Sequence, residues 1–125
     1  MLFDTDVLIH FTKGHIGSAH EISRADFRHI STQTAMEFIQ GSASLPIQKA
    51  RRSFIHDLEF EILPLTPNIG HRALVYIEEH ALAGGLRSAD ALIAATAVEN
   101  GLVLCTANGK HFKSIKDLQL KILKV

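Results

Sequence analysis

The segment that decides the fold covers residues 87–112 and reads RSADALIAATAVENGLVLCTANGKHF. Its first part predicts a helix with Ser88 as the N-cap and Asn100-Gly101 at the C-terminal end. Nearly every residue between is apolar, so we expect this helix to be buried almost all round. Residues 102–105 form a short, continuously apolar run, as expected of a buried parallel strand. A polar turn, residues 106–109, follows directly.

The rest of the chain alternates between short apolar strands and amphipathic helices. Further strands are expected at residues 2–3, 27–31, 60–63 and 118–125, the last at a sheet edge. Further helices are expected at residues 7–11, 17–25 and 32–41, from 44 onwards, and from 66 to 85. In the helix after residue 44, the helical period predicts that Ile47, Ala50, Phe54 and Leu58 face inwards. The alternation predicts one α/β domain over residues 1–125, a three-layer α/β/α fold with a mostly parallel central sheet.

Composition and charge narrow the class of protein. The 125 residues are 46% hydrophobic, and 13 basic residues balance 13 acidic ones, which argues against a surface that binds polyanions indiscriminately. The single cysteine excludes an intramolecular disulfide and a cysteine-rich zinc site. Asp4 and Asp6 stand where a signal peptide would be basic, and no apolar run approaches the roughly 20 residues of a membrane span. We therefore expect a soluble, cytoplasmic protein.

Three acidic residues, Asp4, Glu37 and Asp90, lie at or near the start of segments that can face one cleft. Each has a structural explanation as well: Asp4 suits a helix cap, Glu37 lies on a polar helix face, and Asp90 suits a first helical turn. Carboxylates brought together repel one another unless a cation binds between them. Oxygen ligands suit Mg²⁺ or Mn²⁺, which lower the pKa of bound water and bridge to phosphates.

Four segments, in order along the chain, resemble those of a known protein family. They are LFDTDVLI at residues 2–9, TAMEFIQG at 34–41, ADALIAATA at 89–97, and LCTAN at 104–108 followed by KHF at 110–112. Together they resemble the PIN-domain family, and are most similar to the VapC-like toxins of bacterial and archaeal toxin–antitoxin pairs. The resemblance covers essentially the whole chain.

The resemblance implies a metal-dependent endoribonuclease, a hydrolase that acts on RNA phosphodiester bonds with Mg²⁺ or Mn²⁺. Asp4, Glu37 and Asp90 match the acidic metal-binding positions of the family, and Thr5 and Thr106 match hydroxyl residues beside the site. The resemblance also implies a cognate antitoxin as partner and a homodimer.

Two positions depart from the pattern of the family. Asn108 stands where many relatives have Asp, and Asp6 stands where many have Asn. Asn108 removes a negative charge from the site. Asp6 adds one nearby, and we expect Asp6 to be a supporting residue. The number of bound ions, one or two, is therefore left open by the sequence.

Two other functions within the same fold stay open: an RNA-processing PIN nuclease without an antitoxin, and a catalytically weakened RNA-binding module, which Asn108 favours. A receiver-like signalling domain is set aside. Such a domain needs a phospho-accepting Asp at the end of its central strand, and residues 60–66, FEILPLT, provide none.

Overall fold

Five short strands form a central sheet in the computed structural model, which describes residues 1–125. The strands are β1 (Leu2–Phe3), β2 (Arg28–Ser31), β3 (Phe60–Leu63), β4 (Leu104–Thr106) and β5 (Leu120–Ile122). Their order is β3-β2-β1-β4-β5, and every neighbouring pair is parallel. The mostly parallel sheet predicted from the sequence is confirmed, with β5 at one edge.

Six helices connect the strands: α1 (Thr5–Thr12), α2 (Ile16–Arg24), α3 (Thr32–Gln40), α4 (Leu45–Asp57), α5 (Pro67–Gly84) and α6 (Ser88–Glu99). A short 3₁₀ turn, Gly109–His111, follows β4. Capping hydroxyls set several of the helix starts: Ser31, Ser44 and Thr66 each accept a backbone N–H from the first turn of their helix. Gly85 ends α5 in the left-handed conformation, with φ of 69°.

The core lies in two layers, one on each face of the sheet. Successive residues of a strand point to opposite faces, so Leu2 and Leu104 belong to one layer whereas Phe3 and Cys105 belong to the other. The first layer packs α5 and α6 on the sheet, and the second packs α1, α2, α3 and the end of α4. This arrangement confirms the three-layer α/β/α fold.

Several details of the sequence-based description were wrong. The last strand covers only Leu120–Ile122, whereas residues 118–125 were expected. The N-cap of α6 is Arg87, in an extended conformation, and Ser88 is already helical, so no side chain caps this helix. Strand β4 begins at Leu104, two residues later than expected, and it extends to Thr106. Ile47 and Ala50 are exposed.

The exposure of Ile47 and Ala50 follows from how α4 meets the sheet. Only the second half of the helix is covered, where Ile55 is buried. Between the halves the guanidinium of Arg51 lies 4.7 Å from the centre of the Phe38 ring and donates to the Phe38 carbonyl at 2.7 Å. The side chain of Arg51 therefore covers part of Phe38 at this point of the helix.

None of the helices combines the length and the apolar character needed to cross a membrane.

Candidate functional site

The candidate site lies at the carboxyl edge of the two central strands. Because Phe3 pairs with Cys105, the residues that follow, Asp4 and Thr106, come side by side. The Asp4 N–H donates to the Cys105 carbonyl at 2.9 Å, which continues the ladder to the edge of the sheet. In open parallel sheets this edge is where ligands bind.

Both carboxylate oxygens of Asp4 accept hydrogen bonds from neighbouring residues. The Thr5 N–H donates to Oδ1 at 2.7 Å, and the Thr106 hydroxyl donates to Oδ2 at 2.7 Å. Asp4 and Thr106 are both buried. The Thr106 hydroxyl also accepts the Asn108 N–H at 3.0 Å, which holds the β4 turn against Asp4.

Asp6 joins the first turn of α1 to the same loop. Its carboxylate oxygens accept the Ala107 N–H at 3.2 and 3.3 Å, and the Thr106 hydroxyl lies 3.4 Å away. The side chain of Asp6 therefore holds the backbone after β4 and brings a second carboxyl group close to Asp4.

Glu37 lies on α3 and faces α1. The Thr5 hydroxyl donates to Glu37 Oε1 at 2.9 Å and lies 3.1 Å from the buried Thr34 hydroxyl. Periodicity alone assigned Glu37 to a solvated helix face, yet the residue is half-buried because α1 packs against α3 at this point.

Asp90 occupies the first turn of α6, and one of its oxygens has no hydrogen bond. Asp90 Oδ2 is buried and unpaired. His111 Nδ1 lies 3.3 Å away, close enough for an ion pair by distance but outside hydrogen-bond geometry. Asn108 Nδ2 contacts the same ring nitrogen at 3.2 Å. The orientation of these groups leaves Asp90 Oδ2 free for another ligand.

Burial and neighbouring charge make the cluster electrostatically unfavourable without a counter-charge. Burial raises the pKa of Asp4 to about 7, with the nearby charges of Asp6 and Asp90 adding to the effect and the hydrogen bonds from Thr106 and Thr5 opposing it. Burial likewise raises the pKa of Asp6, while the Ala107 N–H opposes the rise.

The donor set fits a hard divalent cation, although no three acidic, histidine or cysteine side chains converge tightly enough to form a ready-made cage. The available atoms are carboxylate oxygens, and one of them, Asp90 Oδ2, is buried without a partner. Mg²⁺ usually binds one or two carboxylates and keeps several waters, so it does not need a closed protein cage.

The residues singled out in the sequence form two contact groups. The first contains Asp4, Asp6, Glu37, Thr5 and Thr106, which side-chain hydrogen bonds connect. The second contains Asp90 and Asn108, which meet on the ring of His111. The bond from the Asn108 N–H to the Thr106 hydroxyl links the groups.

Sequence reasoning missed His111 as a site residue. A polar residue in a short turn carries no periodic signal. Only its nearness to Asn108 along the chain and its place in the segment KHF pointed to it.

Comparison with known proteins gives one family and several similar structures. The model of the PIN domain matches residues 1–118. A toxin–antitoxin complex from Klebsiella pneumoniae is 28% identical with a TM-score of 0.79, covering 94% of this chain and 93% of that chain. VapBC-1 from nontypeable Haemophilus influenzae is 24% identical with a TM-score of 0.82, covering 97% and 96%. VapBC2 from Rickettsia felis, bound to a DNA fragment from their promoter, is 18% identical with a TM-score of 0.81, covering 98% of each. No curated protein matches the chain.

Proposed function

Because the chain belongs to the PIN-domain family, we propose that it is a metal-dependent endoribonuclease and the toxin of a toxin–antitoxin pair. The observation that carries the proposal is the buried acidic cluster at the carboxyl edge of β1 and β4. Burial and adjacent carboxylates raise the pKa of Asp4, and Asp90 Oδ2 has no hydrogen bond. A divalent cation would offset the repulsion between these buried carboxylates and would give Asp90 Oδ2 a partner.

Asp4 and Asp90 would hold the Mg²⁺ or Mn²⁺ ion, directly or through water. The bound ion supplies a water of lowered pKa and neutralises charge on the phosphate. Asp90 offers its unpaired oxygen. Asp4, whose oxygens accept from Thr5 and Thr106, is fixed in orientation by those two bonds.

Glu37 would complete the acidic cluster and orient the attacking water by accepting its proton in a hydrogen bond. The Thr5 hydroxyl, at 2.9 Å, fixes Oε1 and leaves Oε2 of Glu37 to the water. Thr106 and Asn108 would position a water or a phosphate oxygen, because both lie at the turn beside Asp4. Asp6 supports this turn through the Ala107 N–H.

The enzymatic part is tested with labelled RNA and DNA of the same sequence, incubated with Mg²⁺ and analysed on gels. We expect internal cleavage of the RNA and not of the DNA, and no cleavage by Asp90→Asn. The matched control is Asp57→Asn, which removes an exposed carboxylate at the end of α4. Wild-type activity in a folded Asp90→Asn variant, or equal loss in both variants, would reject the proposed site.

The proposed partners are a cognate antitoxin and a second copy of the chain. The antitoxin is supported by the similar solved structures, which are toxin–antitoxin assemblies in which the matching chain has nearly the same length as this one. The second copy of the chain rests on the family resemblance alone. A toxin that cleaves cellular RNA would act in the cytoplasm. Expression of the chain alone should arrest growth, and co-expression of the protein from the neighbouring reading frame should restore it. Normal growth with abundant, folded protein would favour an RNA-processing nuclease.

A second candidate is an RNA-binding module with weakened catalysis, which the neutral amide of Asn108 favours. The same gel assay separates the two, because a binding module retards RNA without shortening it. Restored cleavage in Asn108→Asp, with none in the wild type, would support this second function.

A further inference from the structure

The positive charge of the chain is unevenly distributed. Five of the thirteen basic residues lie in residues 106–125, together with only one of the thirteen acidic residues, Asp117. Because the chain as a whole carries no net charge, residues 1–105 are net negative. The basic segment follows the candidate site directly, since its first residues form the turn beside Asp4.

Three successive turns separate the lysines of this segment from its apolar residues. The N–H groups of Phe112, Ile115 and Leu118 each donate to the carbonyl three residues earlier, at 3.1, 3.0 and 3.4 Å. The side chains of these three residues are buried. The second residue of each turn is an exposed lysine: Lys110, Lys113 and Lys116. The repeat of three residues therefore buries the apolar side chains and exposes three lysines at equivalent positions, which we call the lysine row.

No acidic side chain of the protein neutralises the lysine row, because none of its three members forms a salt bridge. The one acid of the segment, Asp117, is paired with the Arg72 guanidinium at 2.9 Å and accepts the Tyr76 hydroxyl at 3.0 Å. A fourth lysine, Lys121, is paired with Glu21 at 2.8 Å and does not belong to the row. The three ammonium groups of the lysine row are therefore free to meet an external anion.

The lysine row begins at the candidate site and leads away from it. Lys110 lies in the 3₁₀ turn Gly109–His111, and the ring of His111 is 3.3 Å from Asp90 Oδ2. Because β4 and β5 are parallel, the segment between them must return from the carboxyl edge of the sheet to the amino edge. The row therefore follows the side of the domain from the acidic cluster towards the opposite edge.

We propose that the lysine row binds backbone phosphates of the RNA strand on one side of the cleaved bond, an inference that rests on the proposed function. A phosphate that enters the site approaches the carboxylates of Asp4, Asp6 and Asp90, which repel it. Free ammonium groups next to this cluster counter the repulsion and attract the strand. Phosphate contacts carry no sequence information, so the lysine row fixes the path of the strand and leaves base selection to other contacts.

The size of the effect follows from counterion release. Each phosphate contact with a single strand contributes about 0.7 to the slope of log Kd against log salt, so loss of three contacts should lower the slope by about 2. When the salt concentration rises from about 50 to about 200 mM, the wild type should therefore lose about 20-fold more affinity than a variant without the lysine row.

The test is fluorescence anisotropy of a labelled single-stranded RNA in EDTA, which prevents metal-dependent cleavage of the probe during the titration. In one variant all three members of the lysine row are replaced: Lys110→Gln, Lys113→Gln and Lys116→Gln. The matched control replaces three other exposed cations without salt bridges: Lys13→Gln, Lys49→Gln and Arg52→Gln. Both variants have the same net charge, and circular dichroism confirms their folding. We expect the lower salt slope only in the variant of the lysine row.

A wild-type slope in the variant of the lysine row, an equal fall in both variants, or no RNA binding by the wild type overturns the proposal. Loss of antitoxin binding with unchanged RNA binding would assign the lysine row to the protein partner instead.

Cleavage with Mg²⁺, measured in parallel, separates this inference from the proposed function. If the wild type cleaves RNA but the variant of the lysine row binds with the wild-type slope, the inference is refuted and the proposed function stands. If the lysine row binds RNA but the wild type does not cleave it, the nuclease function is refuted and the binding surface stands.

Discussion

Replacing Asp4 by Asn should stabilise the metal-free protein at pH 8 while impairing cation binding. The carboxyl group of Asp4 is buried beside Asp6, and its pKa is raised from 3.8 to about 7. At pH 8 the folded, metal-free protein therefore carries an unfavourable charge that Asn does not have. A residue selected for binding rather than for stability is expected to show this signature.

The magnitude follows from the pKa of Asp4. A tenfold change in acidity corresponds to about 1.4 kcal/mol, so ionising Asp4 costs the folded state up to about 4 kcal/mol at pH 8. Asn keeps the shape of Asp, and its side-chain oxygen can still accept the Thr5 N–H. Its amide nitrogen, however, would face the Thr106 hydroxyl, which donates to the Asp4 carboxylate in the wild type. One disturbed hydrogen bond costs about 1 kcal/mol. The expected net gain is about 1–3 kcal/mol.

The sign of the pH dependence follows from proton binding. Because the pKa of Asp4 is higher in the folded state, that state binds more protons between about pH 4 and pH 7. The contribution of Asp4 to stability is therefore most favourable below pH 4 and declines as the pH rises through 7.

Urea unfolding in EDTA, followed by circular dichroism at pH 5 and pH 8, measures the effect. The wild type should lose more stability between these pH values than Asp4→Asn. A variant that is less stable than the wild type at pH 8, with the same pH slope, would refute the reasoning.

Three further predictions concern the loop after β4 and the partner. Thr106→Val should destabilise the protein by about 1–3 kcal/mol in urea unfolding. The replacement leaves the buried Asp4 oxygen and the Asn108 N–H without a partner. Thr106→Ser, which keeps the hydroxyl, should lose less stability. Asn108→Asp should need less Mg²⁺ for half-maximal RNA cleavage if a missing acid limits a second ion, and an unchanged requirement would contradict that. The antitoxin should insert an Arg among the acids, since Arg pairs bidentately with carboxylates; its replacement by Ala should restore cleavage in the complex, and continued inhibition would require another explanation.

Much of the fold could be predicted because local signals and apolar runs agree along the chain. Ser44 and Thr66 cap the helices they were expected to begin, and Gly85 ends α5. The misplaced cap of α6 shows the limit of residue type alone. Ser88 has a capping side chain, but its backbone is helical, and Arg87 takes the extended conformation that defines the cap.

The candidate site was harder to predict from the sequence, because packing between distant segments brings its residues together. The helical period puts Glu37 on a polar face, and only the packing of α1 against α3 brings it to Thr5. Likewise, the first-turn position of Asp90 is explained by the helix dipole alone. What distinguishes Asp90 is the buried, unpaired oxygen beside His111, a contact between two segments that no local pattern reveals.

The central claim is that a cation held by Asp4 and Asp90 makes RNA cleavage possible, and a Mg²⁺ titration of metal-free protein tests it most directly. Cleavage of total RNA is measured for the wild type and Asp90→Asn after EDTA treatment and again as Mg²⁺ is added, with circular dichroism as the folding control. The replacement should cost only about 0.3–1 kcal/mol of helix-dipole interaction. We predict no cleavage in EDTA, recovery with Mg²⁺ in the wild type, and none in Asp90→Asn. Full cleavage by folded, metal-free protein, or by Asp90→Asn, would contradict the claim.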